Sequence, residues 1–192
     1  MKVSQKMVRS RRLSRKQLET VAFHEAGHAV VRFLIGYVLE EVAIFDAAND
    51  AGDLGHAQSS GWCEPHEDML ALLAGAVAQA MFLNKPFSFR LLMNHCSDLM
   101  AAVEVSEGMH DYGPREHSQV IHAHIYYMAA VVRAEYLEPN WKAVERVAAA
   151  LLLKRQLSGG EIGEICSTEV VVGESTCGLK DQKPNETFNA EC

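Results

Sequence analysis

Apolar positions recur every three to four residues over much of the chain, and turn residues take over where that period breaks. Val21, His24, His28, Val31 and Ile35 share one face of a helix that Ser14 opens and Gly36 closes, with Gln17 completing a capping box. Val42 and Ile44 read as a short strand, 49–53 as a turn, and Leu54 to Gln58 as a second strand. Together they predict a small β-hairpin or sheet packed on the first helix. Pro65 suits the first position of a second helix, apolar and rich in Ala, that runs to about Leu83. Asn84 to Phe89 reads as a loop. Further helices are expected from Asp98 to about Ser106, from Glu116 to Leu137 and from Pro139 to Leu157, with a turn at Gly108 to Pro114. Ser158-Gly159-Gly160-Glu161 is a capping box for a short last helix. The fold class is therefore mainly α (α+β). One domain spans 14–167, between a basic arm at 1–13 and a polar, acidic tail at 168–192 that is read as flexible.

Composition narrows the function. The chain has 192 residues, 48% of them hydrophobic, enough for one real core. Lys and Arg number 18 against 25 Asp and Glu, a net charge of −7, so no nucleic-acid partner is expected. Residues 1–16 carry seven basic side chains and no acidic one, which reads as a solvated terminus. The most apolar stretch, Met69 to Leu83, is interrupted by Gln79 and falls short of the roughly 20 residues of a spanning helix, so no membrane span is expected. The five cysteines form no C-x-x-C pair. That favours reduced thiols and a cytoplasmic setting.

The candidate chemistry lies in His24-Glu25-Ala26-Gly27-His28, an H-E-x-x-H pattern. Side chains four apart on a helix project from one face, one turn apart, so two imidazoles can close on one Zn2+ ion. Glu25 points about 100° away, poorly placed as a ligand but able to take a proton from a water that zinc has acidified. The motif's flanks, 21–23 and 29–31, are apolar, and buried polar groups need partners, which a metal supplies. On the residues alone the third ligand stays open. Val31 and Leu34 stand where a metzincin needs Gly and His, which excludes that class, while Glu64 or Glu67 would serve in a gluzincin-like or ImmA-like arrangement. His95 is a candidate neighbour of the ligands, Trp62 a candidate cleft residue, and His56 and His66 weaker ones. His122 and His124, two apart on a helix, face different sides and read as structural.

From residue 14 to about 166 the chain resembles the zinc peptidase domain of the FtsH family. The resemblance rests on 21–30 (H-E-A-G-H-A), the strands at 41–44 and 54–56, the helix at 72–79, Ser97-Asp98-Leu99 with Ala101-Ala102, the turn at 108–114 and the C-terminal helical pair. It implies a helical zincin-like domain with Asp98 as third zinc ligand and a peptide or unfolded protein as substrate. It further implies that the strand at 42–45 aligns that substrate by edge pairing, and that a homo-oligomer forms. Ala76, Gln79 and Ala80 stand where the family has Arg and paired Glu, and no Gly-Lys dipeptide marks a P-loop, so any ATPase would be a separate partner. The expected function is a zinc-dependent metalloendopeptidase with Glu25 as general base. The alternative is a catalytically silent metal-binding or protein-interaction module of the same fold. Against it, Glu25 has little structural use.

Overall fold

The computed structural model describes residues 12–49, 52–61, 64–89, 96–109 and 117–169. The basic arm falls almost wholly outside them, as do Trp62, His95, the turn beyond Met109 and the tail beyond Glu169. Among the described residues the elements are α1 (Arg15–Leu34), β1 (Val38–Ile44), β2 (Gly55–Ser60), α2 (Pro65–Phe82), α3 (Cys96–Met109), α4 (His117–Val131), a π-helical turn (Val132–Leu137), α5 (Trp141–Lys154), β3 (Gln156–Ser158) and α6 (Gly159–Glu169). The mainly helical class with a small antiparallel sheet is as the sequence predicts. No helix of the described residues is long and apolar enough to cross a membrane.

Helix α1 is the axis of the domain, and its ends follow from its sequence. Ser14 and Gln17 form the predicted capping box, the Gln17 N–H donating to Ser14 Oγ at 3.3 Å and the Ser14 N–H to Gln17 Oε1 at 2.9 Å. At the other end Gly36 takes φ of +88°, which glycine adopts without strain. The Tyr37 N–H then reaches back to the Arg32 carbonyl at 2.9 Å and the Gly36 N–H to that of Phe33 at 3.2 Å, a complete Schellman motif. Between the caps, every residue from His24 to Val31 is buried. Such a helix has neighbours on all sides: α2, α5 and the sheet pack around it. Phe23 stacks on Phe82 of α2 at 4.1 Å and on Trp141 of α5 at 5.7 Å.

The sheet departs from a simple hairpin. Its order is β2-β1-β3, so β1 is the middle strand, antiparallel to both neighbours. Val42 pairs with Ala57 on one side and with Leu157 on the other. The expectation that 42–45 offers an edge to substrate is therefore corrected: both sides of β1 are occupied. Among the described residues, the edge beside α1 that no further strand covers belongs to β2. Of the residues that fill the other side of β1, 156–158, the sequence pattern assigns Gln156 and Leu157 to the end of the preceding helix. That helix stops at Lys154 because Arg155 turns left-handed at φ +69°, its N–H still bonded to the Leu151 carbonyl at 2.8 Å. The chain then runs extended for three residues before the Ser158–Glu161 capping box opens α6, with Ser158 N–H to Glu161 Oε2 at 2.9 Å.

Helices α1 and α2 cross with almost nothing between them. A Cβ on Gly27 would lie 2.5 Å from the Ala78 Cβ and 2.7 Å from the Ala74 carbonyl oxygen. Overpacking of that kind costs about 1–3 kcal/mol, more than the ~1 kcal/mol that alanine gains over glycine in a helix. Gly27→Ala is expected to be a net destabiliser in urea melts, with an unchanged or raised midpoint as the result against it.

Candidate metal centre

His24 and His28 sit one turn apart on α1, and the turn of α2 facing them carries Gly75. A Cβ there would stand 2.3 Å from His28 Nε2 and 2.7 Å from His24 Cε1. The two rings occupy the space a side chain would fill, meeting edge to face with centroids 4.7 Å apart. Both histidines are buried, at 2% and 4% exposure.

Asp98 arrives from the first turn of α3. On that helix Asp98, Ala102 and Ser106 recur at one-turn spacing; the last two are fully buried, and Ser106 Oγ contacts His124 Nδ1 of α4 at 2.9 Å. This stripe turns the Asp98 carboxylate toward α1. Its Oδ2 stands 3.3 Å from His24 Nε2 and 3.4 Å from His28 Nε2, and the two Nε2 atoms are 3.1 Å apart. The three converge as a group that could hold a metal ion, the one such group among the described residues. Burial alone would raise the Asp98 carboxyl, but hydrogen bonds and attraction from both imidazoles outweigh it and hold the group far below the usual carboxylate range.

The tautomer of His28 sharpens this. Its Nδ1 lies 2.7 Å from the Ala71 carbonyl oxygen, which can only accept, so Nδ1 carries the proton. Its Nε2 then faces an anionic oxygen and a second imidazole nitrogen. A proton on one of these nitrogens, or a cation among the three atoms, would satisfy the cluster. A carbonyl holding the far nitrogen of an imidazole is also the usual support of a metal-ligating histidine.

Glu25 is buried too, at 6% exposure, beside the three converging donors. Desolvation pushes its carboxyl up to about 7, against the pull of His28. It packs against Gly55 of β2, where a Cβ would lie 2.8 Å from Glu25 Oε1. A cleft of about 540 Å³ opens in front of these groups, walled by α1, β2 and the start of α3 and including Arg32, Asp53, His56 and Ser97.

The other sequence candidates lie elsewhere. Glu64 and Glu67 stand at the N-terminus of α2, where Glu67 Oε2 accepts the Glu64 N–H at 3.1 Å, and neither joins the cluster. His56 lines the cleft but is paired with Glu41 at 3.1 Å. His122 lies against the Phe89 ring, centroids 4.2 Å apart, and His124 on Ser106, in keeping with structural roles. Arg32, one turn beyond His28, was missed. Its signal was available, since it continues the 21-24-28 stripe.

No family model matches the chain, and no curated protein matches it.

If the cluster holds a cation, zinc will stabilise the fold by mass action, by about 2.7 kcal/mol at a hundredfold excess over Kd. Thermal melts with and without zinc should show an upward shift in the natural protein and none in Asp98→Ala or His28→Ala. Equal shifts in all three would place the ion elsewhere.

Proposed function

We propose that the protein is a zinc-dependent metallopeptidase of the FtsH-like type, with His24, His28 and Asp98 as metal ligands and Glu25 as general base. The observation that carries the reading is the convergence of three donor atoms 3.1–3.4 Å apart beside a buried carboxyl raised to about 7. Ligands around a tetrahedral zinc with bonds of about 2.0–2.1 Å stand about 3.3–3.4 Å from one another, which fits these distances. The donor set, two imidazoles and one carboxylate, suits zinc better than calcium or magnesium, which prefer all-oxygen sites.

A catalytic zinc with three protein ligands leaves one position open and supplies Lewis acidity there, making water a stronger acid and a carbonyl a better electrophile. The chain's own groups do the rest. Glu25 accepts a proton from the attacking water as its oxygen bonds to the peptide carbonyl carbon. It returns that proton to the amine nitrogen as the C–N bond breaks. The burial that raises this carboxyl makes it a stronger base than an ordinary exposed one, which suits the task. Burial of Glu25 also speaks against a silent module. Among the described residues no hydrogen bond or ion pair holds its carboxylate, so a purely structural Glu25 would carry a desolvation cost without return.

The test is peptide or casein cleavage together with metal content. The natural protein is expected to bind about one zinc and to cleave. Glu25→Gln should keep the zinc and lose 10²-fold or more in rate, the size of a general-base contribution. Retained zinc with no cleavage by the natural protein would leave the binding-module reading in its place.

A further inference from the structure

The cleft contains a cation that the proposed chemistry does not use. Arg32 lines it one turn beyond His28, half-buried, and burial pulls its guanidinium below the ordinary arginine value. Among the described residues its side chain makes one hydrogen bond, from Nη1 to the Ala57 carbonyl of β2. A guanidinium has five N–H donors in a planar fork, so most of its capacity is left for the cleft.

The position of that bond is informative. The Ile44 N–H goes to the Arg155 carbonyl, away from β2, while the Phe45 N–H goes to the Leu54 carbonyl, each at 2.8 Å. In an antiparallel ladder the peptide groups alternate sides. Those of Gly55 and Ala57 therefore point outward, along the free edge of β2. Glu25 lies against Gly55, and Arg32 caps the edge at Ala57. An extended peptide laid along this edge would have its reacting bond near Gly55. At about 3.3 Å per residue it would meet the guanidinium some two residues along.

We propose that Arg32 forms a carboxylate-binding subsite that sets which peptides are cut: those with a carboxylate one or two residues from the cleaved bond, either a free chain end or an Asp or Glu side chain. The peptide as carrier rests on the peptidase reading above; the carboxylate does not. Arginine binds a carboxylate with two parallel hydrogen bonds, about twice the strength of neutral ones. The electrostatics agree once the metal site is filled. Glu25, Asp98 and Asp68 are the nearby anions that offset Arg32, and a divalent ion would take up the Asp98 charge, shifting the local balance toward the guanidinium. Arg32 is then a positioning residue for substrate, remote from the bond that breaks.

The experiment measures binding first. Zinc-loaded Glu25→Gln, which cannot turn over, is titrated with three forms of one short peptide. They are a free C-terminal acid, its amide, and an amide carrying Asp in place of Asn near the end. The acid or the Asp form is expected to bind at least about tenfold tighter than the plain amide, and which of them does so identifies the source of the carboxylate. Adding Arg32→Gln should abolish the preference, and Arg32→Lys, which keeps the charge without the fork, should retain part of it. Circular dichroism checks that both remain folded. Equal affinity of all three peptides, or no binding at millimolar concentration, overturns the proposal. So does a preference that survives Arg32→Gln, since the carboxylate would then sit on the metal. Cleavage by the natural protein provides the second reading: Arg32→Gln should raise KM for the preferred peptide by a larger factor than for the plain amide, with a smaller effect on kcat. An equal fall in kcat on every peptide would assign Arg32 to the reaction itself and overturn the subsite. Carboxylate preference without any cleavage would reject the peptidase reading and keep the subsite; cleavage without preference would do the reverse.

Discussion

The close crossing of α1 and α2 is the constraint from which the site follows. Two imidazoles can lie side by side in the core only where the facing helix leaves room, and Gly75 leaves it. One turn back on the same helix, Ala71 offers a carbonyl with a second lone pair, which fixes His28 by its Nδ1. Gly27 lets the helices approach closely enough for both contacts. A single helical interface thus provides the space, the anchor and the tautomer. The third donor, from α3, is aimed by the burial of Ala102 and by the contact of Ser106 with His124.

The cleft gathers charge that a protein interior ordinarily refuses. Asp98, Glu25 and Arg32 stand within electrostatic reach of one another, beside two titratable rings. Their environments push them apart: Asp98 is held ionised by the histidines, while Glu25 is raised by burial. Neighbouring carboxyls so divided suit different tasks, one as a permanent anion and the other as a proton carrier. Both come from short-range structure, the first from hydrogen bonds and the second from the wall that β2 places over Glu25.

Much of this was legible in the sequence, for identifiable reasons. The α1 boundaries followed from Ser14, Gln17 and Gly36, and the pairing of His24 with His28 from helical geometry. Asp98 is 70 residues or more from both histidines, 74 from His24, and no local pattern links them; only the family resemblance pointed to it. The third strand was hidden because no Gly, Pro or other turn residue separates Leu157 from the apolar run 151–153, so that the left-handed turn at Arg155, a residue with no turn preference, left no trace in the pattern. The π-helical turn at 132–137 left only a slight mark: the buried positions run 121, 125, 128, 132 and then 137, a five-residue step where an α-helix expects three or four. Arg32 was overlooked because a charged residue near a helix C-terminus is ordinarily explained by the macrodipole.

The middle position of β1 bears on how the chain reaches this state. Its partner on one side follows 11 to 22 positions later, but its partner on the other, at 156–158, comes more than a hundred positions later. Closing that loop has a high entropic cost, so the first hairpin can form long before the third strand docks. Until it does, one flank of β1 presents unsatisfied amides and carbonyls next to Val42 and Ile44, a template for pairing with another chain. Three short residues at the far end of the fold therefore guard it against self-association during assembly.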